Sequence, residues 1–216
     1  MATFVLIPGA GSTSWYWHLV APRLEALGHE VVAVDLPCDD DTAGFQEYAD
    51  AVVEAIGDRS DVVLVAQSLA GFTAPLVAAR APVEMIVLVA AMVPAPGESA
   101  GEWWANTGHA TAVDTDDLGV LFLHDVPPDV AAESAQHVRD QSSKPLEDPW
   151  PLAAWPDVPT RFLLCSDDRF FPADFQRRVV MERLGITPDE MDGGHLPALS
   201  RPQDLADRLH AYDAGR

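Results

Sequence analysis

The chain has 216 residues, 34 of them acidic and 13 basic, for a formal net charge of −21. A surface this anionic repels nucleic acid and anionic lipid, so neither is an expected partner. Hydrophobic side chains make up 48% and charged ones 22%, which excludes a disordered chain, and the length suits a single domain over 1–216. No run approaches the ~20 apolar residues of a membrane helix. Met1 to Pro8 carries no basic segment and no cleavage pattern, so it reads as a first strand and a cytoplasmic location is expected. Cys38 and Cys165 are too few for a disulfide framework and are expected as buried free thiols.

Short apolar runs alternate with helical patterns along the chain. Strands are expected at 4–7, 31–34, 62–66, 85–90 and 162–165, with a weaker sixth near 186–191. Helices are expected at 17–27, 45–56, 69–80, 175–184 and 202–212. Three of these stop at Gly28, Gly57 and Gly185, and the last follows Ser200 as a candidate N-cap. Pro75 must sit in the first turns of its helix or kink it. The alternation predicts an α/β fold, a doubly wound, mostly parallel six-stranded sheet.

The alternation breaks at about 92–158, between the fourth and fifth strands. This stretch is rich in proline yet holds four of the six tryptophans, so a small packed helical cap is expected rather than a linker. Helical pieces fit 98–106, 116–123 and 129–141.

The strongest local signal is Val62-Val-Leu-Val-Ala-Gln-Ser68-Leu-Ala-Gly71. An apolar strand runs into a serine with small residues two places away on either side, and a helix follows. This is the nucleophile-elbow arrangement, with Ala66 and Ala70 in the glycine places. A sharp strand-to-helix turn exposes the serine hydroxyl and leaves the next N–H, that of Leu69, free for an oxyanion. The competing reading makes Ser68 an ordinary helix cap. Asp167 and Asp168 follow the fifth strand, and Asp192-Gly-Gly-His195-Leu-Pro197 follows the sixth, so the chain order Ser68, Asp168, His195 is the one the elbow predicts.

The first strand turns at Pro8-Gly9-Ala10-Gly11-Ser12, a loop suited to presenting a second oxyanion donor. A rival reading takes Gly9 to Ser14 as a dinucleotide fingerprint with Asp35 as the ribose acid. Ser14 in place of the third glycine, and Pro8 before the first, count against it. A phosphate-binding P-loop would need a lysine that this segment lacks.

With these stretches in place, the sequence resembles the α/β-hydrolase superfamily. Within it, the likeness is to the hydroxynitrile lyase and plant methylesterase group with its bacterial esterase relatives. Phe4 to His18, Leu27 to Pro37, the elbow, Cys165 to Gln176 and Gly193 to Pro202 carry the likeness, which covers nearly all of the chain outside the insertion. The resemblance implies Ser68 as nucleophile, His195 as base and Asp168, rather than Asp167, as orienting acid. It implies oxyanion donors on the backbones of Ala10 and Leu69, and a fold that needs no cofactor. The lyases keep a lysine after the histidine and a threonine in the first loop. Here those places hold Leu196 and Gly9, which points to the hydrolytic branch.

The expected activity is therefore hydrolysis of a small carboxylic ester, with a cyanohydrin lyase or a non-catalytic ligand receptor as alternatives. Gly9, Trp103, Trp104 and Leu196 are candidate pocket residues, and Trp103 and Trp104 could equally be the cap's own core. Trp15 and Trp17 are expected to pack the first helix, with His18 a candidate for the pocket mouth. His109, His124, His137, Asp114, Asp116 and Asp117 show no metal-ligand spacing, so no metal is expected.

Overall fold

The apolar runs become strands, the central ones buried on both faces. In the computed structural model, which describes all 216 residues, the strands are β1 Thr3–Ile7, β2 Glu30–Ala33, β3 Val62–Gln67, β4 Met85–Val89, β5 Thr160–Cys165 and β6 Asp189–Met191. They form one sheet of order β2-β1-β3-β4-β5-β6, and every neighbouring pair is parallel. The central β1, β3 and β4 are wholly buried, whereas β2 and β6 at the edges are not.

Side chains along a strand alternate between faces, so each run feeds two cores. Val5, Ile7, Leu64, Ala66, Ile86 and Leu88 enter the larger one. Phe4, Leu6, Val63, Val65, Val87 and Val89 enter the smaller. Each fully buried Val, Leu, Ile or Phe side chain here contributes about 1.5–3 kcal/mol.

The helices are α1 Ala21–Ala26, α2 Phe45–Ile56, α3 Ala74–Ala78, α4 Ala100–Thr107, α5 Leu118–Phe122, α6 Pro128–Ser134, α7 Lys144–Glu147, α8 Ala173–Leu184, α9 Pro197–Ser200 and α10 Pro202–Ala214. Two expected helices are split. The stretch 69–80 begins as a 3-10 turn, Ser68–Gly71, and restarts as α3 with Pro75 in its first turn, because proline has no N–H to bond the preceding turn. Likewise 17–27 is a 3-10 turn, Ser14–Trp17, followed by α1 with a proline in its first turn. Ser200 does not cap α10. It closes α9, and its buried hydroxyl has no partner.

Between β4 and β5 lie α4 to α7. Ser99 caps α4 by accepting from the Glu102 N–H, and Glu102 returns the bond to the Ser99 N–H. Asp117 caps α5 through the Gly119 N–H. Glu98, expected inside a helix, instead pairs with Arg183 on α8, and Trp150 Nε1 donates to the Phe72 carbonyl. The contacts seat this segment on α8 and on the turn that precedes α3. The helix expected over 129–141 ends at Ser134, and the chain beyond it runs along the first loop. There the Arg139 N–H donates to Gly11 O, and farther on the Ser142 N–H donates to Cys38 O on the segment after β2.

The strand order reverses direction between β1 and β3. In an open parallel sheet, ligands gather outside the carboxyl ends of the strands at such a switch point. The loop after β1 and the turn after β3 meet there.

Candidate active site

Ser68 leaves β3 with φ of 52°, a left-handed conformation that costs a non-glycine residue about 1–3 kcal/mol. The surrounding backbone holds it: the Met92 N–H, just past β4, donates to the Ser68 carbonyl at 2.9 Å. The turn packs so closely on that segment that a Cβ on Gly71 would lie 1.8 Å from Met92 O. A severe size limit thus falls at Gly71, three residues after the serine, while Ala66 and Ala70 are buried in the core.

His195 Nε2 lies 3.1 Å from Ser68 Oγ, and His195 Nδ1 lies 2.8 Å from Asp168 Oδ2. Asp168 Oδ1 accepts the N–H groups of Phe170 at 2.9 Å and Phe171 at 2.8 Å. With that oxygen occupied, Oδ2 is left to receive the imidazole Nδ1–H, and the Nε2 lone pair faces the serine. Asp168 and His195 are buried, while Asp167 is exposed. The rings of Phe122, Phe170 and Phe171 stand edge-on around the imidazole at centroid distances of 5.2, 5.2 and 4.9 Å.

Further contacts tie the histidine loop down, and none was legible beforehand. Gln67 Nε2 donates to the His195 carbonyl at 3.1 Å. Asp125, between α5 and α6, accepts the Gly194 N–H at 2.7 Å. On the first loop, Gln141 accepts the Gly11 N–H at 3.1 Å. The Ala10 N–H makes no hydrogen bond inside the chain. Leu69 is the second residue of the 3-10 turn Ser68–Gly71, where first-turn N–H groups lack intrahelical acceptors.

These groups face one cavity of about 530 Å³, which Ala10, Ser68, Leu69, Trp104, His195 and Leu196 all line. Two expected pocket residues do not line it. Trp103 is buried in the core, where its Nε1 donates to the Val93 carbonyl and its ring packs near Phe171 and Phe175. Adjacent positions on α4 point to different sides, so one tryptophan faces the core and the next faces the cavity. Gly9 is buried against the elbow, since a Cβ there would sit 2.3 Å from Gln67 Oε1 and 3.0 Å from Ser68 Cβ. Its glycine is a packing demand. Trp15, expected to pack a helix, lines the cavity instead, stacked between the rings of His18 and His137 at 4.1 and 4.5 Å. Trp17 is core.

Asp35 has a local task. It accepts the Ser14 N–H at 2.7 Å and so braces the first loop, which removes the acid that a dinucleotide reading needs. Burial pushes the Cys165 thiol well above its usual pKa and Cys38 up as well, so both stay protonated. Both are free and buried. Burial also raises the Tyr16 phenol, which lines the cavity, far above its ordinary range and keeps it neutral. No group of three or more His, Cys, Asp or Glu side chains is placed to hold a metal ion.

The model of the alpha/beta hydrolase family matches residues 4–208. The chain belongs to that family. It is 25% identical over 250 aligned positions to Methylesterase 2 of Arabidopsis thaliana, with 96% of this chain and 94% of the relative covered. The solved polyneuridine aldehyde esterase has the same fold, with a TM-score of 0.83 at 20% identity over 98% of this chain and 99% of that one. A pyrethroid hydrolase from Sphingobium faniae JZ-2 matches with a TM-score of 0.80 at 21% identity, over 99% and 97%.

Proposed function

We propose that this family member is a serine hydrolase that cleaves a small carboxylic ester through an acyl-enzyme. The observation that carries the reading is the continuous relay from Ser68 Oγ through His195 to Asp168, at 3.1 and 2.8 Å, with the serine held in a strained turn at the cavity. The esterase and hydrolase names among the relatives support the same class of chemistry.

In this reading His195 Nε2 takes the Ser68 proton while Oγ bonds to the ester carbonyl carbon. The carbonyl electron pair moves onto its oxygen, which the Ala10 and Leu69 N–H groups receive. Asp168 holds the Nδ1–H tautomer and stabilises the imidazolium. Collapse expels the alkoxide, which leaves as alcohol with the proton from His195. Water then gives a proton to His195 and attacks the acyl-enzyme, and the second collapse returns the proton to Ser68 and frees the acid. Every step uses side-chain and backbone groups of the chain, with no cofactor. Leu196 supports hydrolysis over cyanide release, since it brings an apolar side chain to the cavity where a departing cyanide would need a cation.

A fluorophosphonate probe tests the nucleophile. Peptide mapping should place the label on Ser68, and Ser68→Ala should abolish it. Labelling that persists unchanged in the variant would remove Ser68 from the mechanism.

A further inference from the structure

The cavity does not close at its outer end. Leu118 is 65% exposed and Val138 is 69% exposed, yet both line the same cavity as Ser68. Gly119 and Ala135, also exposed, line it as well. The mouth is therefore apolar where it meets water. None of the side chains lining the cavity, inside or at the mouth, is Asp, Glu, Lys or Arg, on a chain with 34 acidic and 13 basic residues. Exposed apolar surface of this kind, continuous with a binding cavity, marks a place where a ligand covers it. Leu118 opens α5, whose Leu121 is buried, so the helix turns one apolar side inward and leaves another at the opening.

Resting on the ester-hydrolase reading, we propose that the mouth formed by Leu118, Ala135 and Val138 is an outer subsite for an extended apolar group of the substrate. The substrate class is then an uncharged ester whose alkyl or aryl portion reaches from Ser68 through the inner cavity to the rim. Each methylene that leaves water for such a surface gains affinity, up to about fourfold when fully buried. At a half-open mouth the gain is about twofold per methylene. A terminal carboxylate or ammonium would lose its hydration at the rim with no opposite charge to meet it.

The test is a length series on the wild-type chain, with p-nitrophenyl alkanoates for the acyl side and alkyl acetates for the alcohol side. kcat/KM should rise on one side by about fifteenfold from the four-carbon to the eight-carbon group, at about twofold for each of the four added methylenes, through a falling KM. Within each variant the long-to-short ratio is the readout, so a general loss of activity cancels. The pair Leu118→Ser with Val138→Ser should lower that ratio about fivefold or more. Met181→Ser, at a half-exposed apolar position on α8 outside the cavity, should leave it alone. A terminal carboxylate at equal length should reduce kcat/KM at least tenfold.

Flat series on both sides would overturn the subsite. A rising series unaltered in the Leu118 and Val138 variants, or parity for the carboxylate-ended ester, would overturn it too. Absence of hydrolysis for every ester, short ones included, would instead overturn the hydrolase reading beneath it.

Discussion

Asp168 and Asp167 are neighbours of the same chemistry in opposite situations. Asp168 is buried, accepts two backbone N–H groups on one oxygen and faces His195 Nδ1 with the other. Asp167 is exposed, and its N–H bonds to Gly193 O. A single step along the chain turns a side chain from the site to solvent. Asp168→Asn keeps the shape but can present an amide N–H to Nδ1, which forces the wrong histidine tautomer. The expected result is a fall in kcat of about 10⁴, with KM little changed. Asp167→Asn should leave kcat within about twofold, since surface substitutions of this kind shift energies by ~0.5 kcal/mol or less. Steady-state rates on a p-nitrophenyl ester compare the two, and the reverse ranking would shift the assignment by one residue.

The turn after β3 shows how an element is limited by what it packs on. Small residues on either side of a nucleophile relieve crowding within the turn, and Ala66 and Ala70 satisfy that. Crowding from outside falls on Gly71, where added bulk would meet the Met92 carbonyl. Gly71→Ala must push the turn away from the segment after β4 and break the Met92 N–H bond to Ser68. Destabilisation should reach about 3 kcal/mol, the upper part of the usual overpacking range. At ~2–4 °C per kcal/mol for a chain of this size, Tm should fall by about 6–12 °C in a thermal melt. An unchanged Tm would show that the turn can move freely.

For the whole molecule, stability should depend on pH through two histidines far apart in the fold. The Ala2 N–H donates to His29 Nδ1 at 3.2 Å, so the His29 Nε2–H is the donor to His210 Nδ1 at 2.8 Å. Burial lowers the His29 pKa, with Asp213 pulling the other way and His210 and the N-terminal ammonium adding to the lowering. His109 sits among Trp103, Trp104, Phe170, Phe171 and Phe175, and burial lowers its pKa as well, against the pull of the Phe170 carbonyl. The unfolded chain takes these protons near pH 6.5, whereas the folded chain resists until lower pH. Between those points the unfolded state binds more protons, so stability is full above ~6.5 and falls as the pH drops below it. Glu98 and Asp39, both with lowered pKa, act in the same direction but only in the more acidic carboxylate range. Denaturant unfolding at pH 7.5 and 5.5 should show the loss, and His109→Phe, which removes one of the two groups, should make it smaller. An equal loss in the variant would rule out His109 as a source.

The sequence by itself determined the parts that depend on local pattern. Apolar runs bounded by turn residues placed the six strands, and Gly57 and Gly185 marked where α2 and α8 end. The small residues around Ser68, and the order of an acid and His195 at later strand ends, singled out the serine and the histidine, and the family resemblance chose Asp168 over Asp167. Tertiary structure decided everything that depends on contact between distant segments. Gln67 and Gly194 sit beside residues already of interest, yet nothing local says that one holds the His195 carbonyl or that Asp125 holds the other's N–H. Gln141 reaches Gly11 across 130 positions. The choice between Trp103 and Trp104 for the cavity turned on how α4 rolls against α8, and Gly9 proved a packing residue only once Gln67 was beside it. Periodicity records how often a side chain is buried and on which face. It does not record what lies opposite, because that is fixed by the close packing of side chains brought together from the whole chain.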